Sequence, residues 1–181
     1  MKVIQFIASK GRGGAENVVA SLSNAMFQNG IDVELLLLSE SQLAHQISPS
    51  IPINYLHFSS RFNPLLYLEI LWFLIRKKPH IIHTHSAKAT ELIYTIRHFL
   101  SVVHVATKHN PRKGRIFNKI RHVTAVSQEV QNSIAPTCAT IIYNGITPKA
   151  IPPIIHPQKP FQIYAIGRLD KIKAYDLLMK A

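Results

Sequence analysis

The sequence is poor in cysteine and in acidic residues. Its 181 residues include one cysteine, Cys138, which excludes an internal disulfide framework and a cysteine-based zinc site and suits a reducing compartment such as the cytoplasm. Nine acidic residues stand against 21 Lys and Arg, for a net charge of +12. Residues 61–122 carry twelve of these basic residues and only two acidic ones. This region predicts an anionic partner, with a solvated basic face as the alternative.

Long apolar runs are also missing. The first run, Val3–Ala8, is short and lacks a cleavage pattern, so a secretory signal is not expected. The longest run, PLLYLEILWFLI at 64–75, contains Glu69 and falls short of the roughly 20 residues that cross a bilayer. It predicts a helix packed on the core. Because Arg76, Lys77 and Lys78 follow it, attachment to an anionic membrane surface is a second interpretation.

Short apolar runs and helix-period segments alternate along the chain. Hydrophobic residues make up 47% of it, enough for a full core. Seven runs are typical of strands buried on both faces: Val3–Ala8, Val33–Leu38, Ile53–Phe58, Ile81–Thr84, Val102–Thr107, Val123–Val126 and Thr140–Tyr143. Helices are predicted from Ala15 to Gly30, over Leu65–Ile75 and over Ala87–Leu100. Together they predict an α/β fold with a Rossmann-like, doubly wound parallel sheet.

The composition changes after Tyr143. Residues 144–160 hold five of the 11 prolines, which predicts an extended linker. A strand at Phe161–Ile166 and a helix at Tyr175–Ala181 would begin a second domain. The predicted division is therefore a domain at 1–145, a linker at 146–160 and a donor-binding segment at 161–181.

Polar residues follow most of the predicted strands. In an open parallel sheet ligands bind at the carboxyl ends of the strands, so these residues predict a polar site. They are the loop Lys10–Glu16 with Gly13, Gly14 and Glu16; then His83, His85 and Ser86; Lys108, His109 and Asn110; Ser127; and Asn144 with Gly145. The glycine loop could also be a plain turn. The loop can also be compared with the dinucleotide-binding fingerprint Gly-x-Gly-x-x-Gly, with Glu40 as the residue that would bind the ribose. In that comparison Glu16 stands at the last position, where Gly or Ala belongs.

Histidines are concentrated in one region, since seven of the ten lie between His80 and His122. His83 and His85 share one face of a strand, which makes a metal pair conceivable. No cysteine or carboxylate is close in sequence, so no metal is expected. His109 stands in the basic region, where it could meet a substrate hydroxyl or phosphate.

Five motifs in order resemble one family. They are KGRGGAENVV, PHIIHTHSAKA, VTAVSQEV, IIYNGI and GRLDKIKAYDLLMKA. Each is weak alone, but their order resembles the group 1 glycosyltransferases (glycosyltransferase family 4), retaining enzymes of the GT-B fold. The HTHSAKA variant is similar to members that build cell-surface polysaccharide or lipopolysaccharide. The resemblance implies transfer of a sugar from a nucleotide-sugar donor to a lipid-linked or polysaccharide acceptor, in the cytoplasm or on the cytoplasmic face of the membrane.

The resemblance also implies roles for single residues. His109 matches the family's catalytic histidine near the reacting sugar. Gly13 and Gly14 would lie close to the donor phosphates, and Arg168 and Lys173 match the basic pair that binds the donor diphosphate. Fixed cations there would stabilise the leaving group without a metal or other cofactor. Glu16, His83, His85, Ser86, Lys108, Asn110, Ser127, Asn144 and Gly145 would line the acceptor side or the remainder of the site.

The chain departs from the family pattern at its end. Ala174 replaces the glycine after the motif lysine, and the later Glu-x7-Glu region is missing. We therefore expect a truncated enzyme, an acceptor-side half with the start of a donor domain, that is inactive alone. Two alternatives are a non-catalytic module that binds anionic lipid or glycan and an NAD-type Rossmann enzyme. Nucleic-acid binding is not expected, because few aromatics are interspersed among the basic residues; the oligomeric state cannot be predicted.

Overall fold

The computed structural model describes residues 1–11, 13–112, 114–135, 139–145, 164–167 and 174–180. Its chain divides into two units, Met1–Gly145 and Ile146–Ala181. The predicted linker at 146–160 and most of the segment at 161–181 lie outside the described residues. In the second unit the described structure includes a short helix, Tyr175–Leu178.

One parallel sheet of seven strands organises the first unit. The strands are β1 (Lys2–Ile7), β2 (Asp32–Leu38), β3 (Ile53–Leu56), β4 (Ile81–His85), β5 (Val103–Lys108), β6 (His122–Ala125) and β7 (Ala139–Ile141). Their spatial order is β3-β2-β1-β4-β5-β6-β7, and every neighbouring pair is parallel. The order reverses between β1 and β4, which is where open α/β sheets bind ligands. The predicted Rossmann-like sheet is confirmed.

Helices cover both faces of this sheet. The helix α1 (Gly14–Gln28) packs with Val19 and Ala20 on the face of Ile7 and Leu35. The helices α2 (Pro64–Lys77) and α3 (Ser86–Ile96) pack on the opposite face, around Phe6. A third cluster surrounds Phe117 near β5 and β6 and takes in Val130 of the short helix α4 (Gln128–Asn132). Burying apolar side chains on both faces explains why the strands are nearly continuous apolar runs in the sequence.

In the first unit the predicted elements agree with the structure within a few residues at their ends. The strand predicted at Phe161–Ile166 is not found in its described part, since Tyr164, Ala165 and Ile166 are not in a strand. The helix α1 ends as expected near Gly30, which takes the left-handed conformation (φ 73°) that glycine adopts without steric cost. The strand β3 ends at Leu56 rather than Phe58, because the backbone N–H groups of His57 and Phe58 donate to the Glu69 carboxylate instead of to the sheet.

Three short helices were not predicted. They are 3-10 helices at Gln42–Gln46 and Arg115–Lys119 and the single turn of α4. Each has five residues, too few for a 3.6-residue apolar period to appear in the sequence. Among the described residues, no helix is both long and apolar enough to cross a bilayer.

Candidate active site

Three histidines meet at the carboxyl ends of β4 and β5. His83 and His85 lie on the same face of β4, with ring centroids 4.2 Å apart. His109 is the first residue after β5, and its ring stacks against His85 at 5.3 Å between centroids. His83 and His85 are buried and His109 is half-buried. The sheet thus brings together residues from two strand ends that are 24 positions apart in sequence.

A chain of hydrogen bonds fixes the proton positions on two of these rings. The Gln5 amide nitrogen donates to Met26 Sδ (3.2 Å), which turns Gln5 Oε1 toward His85 Nε2 at 2.7 Å. An amide oxygen can only accept, so His85 Nε2 carries the proton and Nδ1 of the neutral ring is an acceptor. His109 Nε2, 3.1 Å away, therefore donates to His85 Nδ1. The remaining nitrogen, His109 Nδ1, keeps its lone pair for another partner.

The third ring is held by threonines. His83 Nε2 lies 2.7 Å from Thr107 Oγ1, and Thr107 Oγ1 lies 2.6 Å from Thr124 Oγ1 on β6. Since His83 Nε2 and both His85 ring nitrogens have protein partners, the two rings do not present a free metal-ligating pair. Within the described ranges, no group of three His, Cys, Asp or Glu side chains is placed to hold a metal ion.

Burial keeps the cluster neutral. Desolvation, with smaller contributions from neighbouring histidines, lowers the pKa of His83 to about 4 and the pKa of His85 well below its ordinary value. Desolvation also lowers the pKa of His109 to about 4, although the nearby Glu16 acts in the opposite direction. With that pKa, His109 is a weak base at neutral pH but a good hydrogen-bond acceptor for a hydroxyl group.

The glycine loop places the amino terminus of α1 beside this cluster. Gly13 is the N-cap residue of α1, and its carbonyl accepts the Asn17 N–H at 3.1 Å. A Cβ atom at Gly13 would stand 2.8 Å from Glu16 Oε2, whereas at Gly14 it would meet nothing within 4 Å. The Glu16 carboxylate is buried and accepts a hydrogen bond from Ser9 Oγ. A side chain at Gly13 would therefore displace the Glu16 carboxylate, whereas Gly14 leaves an open approach to the helix terminus.

These contacts count against the dinucleotide interpretation. Glu16 occupies the last position of the fingerprint, where Gly or Ala allows the helix to pack closely on the strand, and its buried side chain fills that space. Glu40, the candidate ribose ligand, forms an ion pair with Lys10 at 2.8 Å.

Five of the other predicted site residues form two groups, one exposed and one close to the backbone of a helix end. Asn110, Asn144 and Gly145 are exposed at the carboxyl edge. Ser86 directly follows His85 in a left-handed conformation (φ 68°), and Ser127 Oγ accepts the Val130 N–H as the cap of α4. Arg168 and Lys173 lie outside the described residues.

Lys108 is turned away from the histidines. It is 3% exposed, and its ammonium group donates to Ser133 O (3.1 Å) and Ser133 Oγ (2.8 Å). Burial lowers its pKa. Consecutive strand residues face opposite sides, so Lys108 shares the face of Ala106 while Thr107 faces His83. The structure places Lys108 as a tie between β5 and the end of α4, not in the site where it was expected.

Sequence reasoning missed Gln5, Thr107 and Thr124. Each stands within a predicted strand, on the face that also carries His83 and His85. A signal was present: Gln5 is the polar residue inside the apolar run Val3–Ala8, and a buried amide in a strand needs a specific partner. The pairing of β1 with β4 supplies that partner 80 residues away.

The family is decided by a match over most of the chain. The sequence model of Glycosyltransferase Family 4 matches residues 12–150. The chain belongs to glycosyltransferase family 4. The matched region contains Gly13 and Gly14 of the glycine loop and all three histidines of the cluster. No curated protein matches the chain significantly in sequence.

Solved structures show the same fold. Anabaena HepE, solved with UDP and glucose, superposes with a TM-score of 0.65 at 16% identity, covering 81% of this chain and 45% of HepE. The apo form of WaaB, a lipopolysaccharide outer core galactosyltransferase, gives 0.65 at 14% identity, covering 90% of this chain and 50% of WaaB. A glycosyltransferase from Rickettsia africae gives 0.63 at 16% identity, covering 80% and 43%. The chain thus spans about half the length of these proteins and has the fold of one GT-B half.

Proposed function

We propose that this family 4 member takes part in retaining transfer of a sugar from a nucleotide-sugar donor to a lipid-linked or polysaccharide acceptor. The observation that carries the proposal is the neutral His85–His109 pair beside the open amino terminus of α1, at the carboxyl edge of the sheet. Its relatives support the donor class, since HepE was solved with UDP-glucose. WaaB, which acts on the lipopolysaccharide outer core, supports a cell-surface glycan as the acceptor class.

The proposed roles follow from the chemistry of the step. The bond between the anomeric carbon and the donor phosphate oxygen breaks and its electron pair leaves with the phosphate. A bond to an acceptor oxygen forms, and the proton of the acceptor hydroxyl passes to the departing phosphate oxygen. The lone pair on His109 Nδ1 would accept a hydrogen bond from a sugar hydroxyl and hold the reacting carbon in place. The amino terminus of α1 carries the positive end of the helix dipole and would favour the departing phosphate. By resemblance, Arg168 and Lys173 would bind the diphosphate, and the proposed reaction needs no metal.

The first prediction concerns His109. In a chain that includes whatever its reading frame encodes beyond residue 181, His109→Ala is expected to lower sugar transfer at least about 100-fold, because a preorganised group at the reacting sugar is lost. Transfer is measured by mass spectrometry, with a panel of nucleotide sugars and a glycolipid extract as acceptor. NMR of the product gives the anomeric configuration, which we expect to be retained.

The matched control is His98→Ala. His98 is exposed and follows α3, so its removal is expected to leave transfer unchanged. Equal loss in both variants, inversion of the anomeric centre, or no turnover with any nucleotide sugar would contradict the proposal. The 181-residue chain alone is expected to show no transfer, because it spans about half of the structures it resembles.

A further inference from the structure

The helix α2 is apolar on two opposite faces. Leu66, Ile70, Phe73 and Leu74 are buried in the core. The opposite side carries an outer stripe formed by Leu65, Leu68, Trp72 and Ile75, which are 49%, 60%, 60% and 53% exposed. Their spacing of three, four and three residues aligns them along the solvent side of the helix. A helix that is apolar all round is normally covered on all sides, so the outer stripe indicates a missing partner.

The charges beside the outer stripe are cationic. The Arg76 guanidinium lies 4.5 Å from the centre of the Trp72 ring, and exposed Lys78 follows at the end of the helix. Among the described residues, no carboxylate pairs with either group. An aromatic ring with a stacked guanidinium suits the boundary between apolar chains and charged headgroups.

The acidic groups near α2 are turned inward. Glu69, the helix's carboxylate, accepts the backbone N–H groups of His57 and Phe58. Glu34 lies at the foot of the helix, where it is bound by Lys2 and Lys77 and is 5% exposed. The solvent side of α2 therefore presents apolar and positive groups together, which complements an anionic lipid surface and would repel a cationic one.

We propose that the outer stripe of α2 docks on an anionic lipid bilayer, with the helix axis in the plane of the interface. Trp72 would lie at the level where acyl chains meet headgroups, and Arg76 and Lys78 would contact lipid phosphates. The helix has 14 residues, enough to lie in the interface but not to cross it. That the docking brings the protein to a lipid-linked acceptor rests on the proposed function. The docking itself does not depend on the proposed function.

The chain contains a direct reporter of this contact, because Trp72 is its single tryptophan. We expect its fluorescence to shift to shorter wavelength on vesicles of phosphatidylcholine with phosphatidylglycerol, and to be quenched by lipids brominated near the headgroup. Pure phosphatidylcholine vesicles are expected to give at most a small shift. Added salt is expected to weaken binding, because counterions screen Arg76 and Lys78.

Variants test the surface itself. Leu68→Gln with Ile75→Gln is expected to lower vesicle binding at least ten-fold without changing the circular dichroism spectrum, because both side chains are exposed. Phe27→Gln is the matched control: Phe27 is 41% exposed on α1, which packs on the opposite face of the sheet. Its vesicle binding should equal that of the unchanged chain.

Several outcomes would overturn the proposal. One is no binding to anionic vesicles; another is binding that leaves Trp72 emission unchanged, which assigns the contact to another surface. A blue shift that grows with protein concentration without lipid assigns the stripe to a second copy of the chain. The proposed function fails separately: a chain that binds anionic vesicles but transfers sugar to no acceptor would contradict the proposed function and leave the docking standing.

Discussion

At the scale of single residues, the site depends on where each proton sits. Gln5 Oε1 lies 2.7 Å from His85 Nε2, and this contact decides that His85 Nδ1 accepts and that His109 Nε2 donates. Gln5 is fully buried, so no water can replace it without rearrangement. Gln5, in the first strand, thus orients the His109 ring, which follows the fifth strand, through His85.

The residue-scale prediction is that Gln5→Leu lowers the free energy of unfolding by about 1–3 kcal/mol, because the buried His85 N–H loses its acceptor. It should also let the His85 and His109 protons move between ring nitrogens. Denaturant unfolding gives the energy, and ¹⁵N NMR of labelled histidine gives the tautomers. Gln128→Leu, at an exposed position, should change stability by less than about 0.5 kcal/mol. A single unchanged tautomer in Gln5→Leu would show that Gln5 does not set the proton positions.

At the scale of elements, one carboxylate joins three strands and a helix. Glu34 on β2 binds Lys2 of β1 at 2.7 Å and Lys77 at the end of α2 at 2.6 Å. Asn54 of β3 donates to it at 3.0 Å. Burial disfavours the charged carboxylate, but these hydrogen bonds outweigh the desolvation and lower the Glu34 pKa.

The element-scale prediction is that Glu34→Gln destabilises the protein by about 1–2 kcal/mol at pH 7, since both lysines are partly solvated and the interaction is screened. A lowered carboxyl pKa stabilises the fold above the ordinary value of 4.5, and the stabilisation is lost as pH falls through the folded value. The stability difference between the unchanged chain and the Glu34→Gln variant should therefore shrink below about pH 4 in urea unfolding. Glu40→Gln, in the exposed Lys10 pair, should cost less than about 0.5 kcal/mol; equal effects of the two substitutions would argue against the role of burial.

At the scale of the whole molecule, one buried and two half-buried histidines link stability to pH. Burial lowers the pKa of His83, His104 and His109 from 6.5 to about 4, and the His104 ring bonds Thr84 Oγ1 at 2.8 Å. Between these two values the unfolded chain binds more protons at these positions than the folded chain. The fold is therefore stabilised above the ordinary histidine pKa and loses that stabilisation as pH falls toward the folded value.

The whole-molecule prediction is that unfolding becomes easier from pH 7 to pH 5, by at least about 2 kcal/mol, because each such histidine contributes up to about 1.4 kcal/mol per pH unit. Chemical denaturation at a series of pH values measures the slope. His104→Gln should give a shallower slope than the unchanged chain, whereas His98→Gln, at an exposed position, should leave it unaltered. A stability that is constant between pH 7 and 5 would contradict the burial of neutral histidines.

Much of the fold could be predicted from local pattern. Buried parallel strands are continuous apolar runs, and α1 has Ala15, Val18, Val19 and Leu22 along one face. Both kinds of element can therefore be recognised in the sequence. The site residues were harder to predict, because successive residues of a strand face opposite sides of the sheet. Lys108 and His109 are neighbours in sequence, yet Lys108 binds Ser133 while His109 contacts His85.

By itself the sequence determined the element order, the edge of the sheet where polar residues collect, and the family through five ordered motifs. Apolar periodicity and turn residues act over a few positions, so they can be read directly. Only the tertiary structure decided that Gln5 meets His85, that Lys108 leaves the site and that the outer stripe of α2 stays exposed. Those outcomes depend on which strands become neighbours and which helix face meets the core. A polar residue in an apolar run, such as Gln5, indicates that a partner exists, but local pattern does not identify a partner 80 positions away.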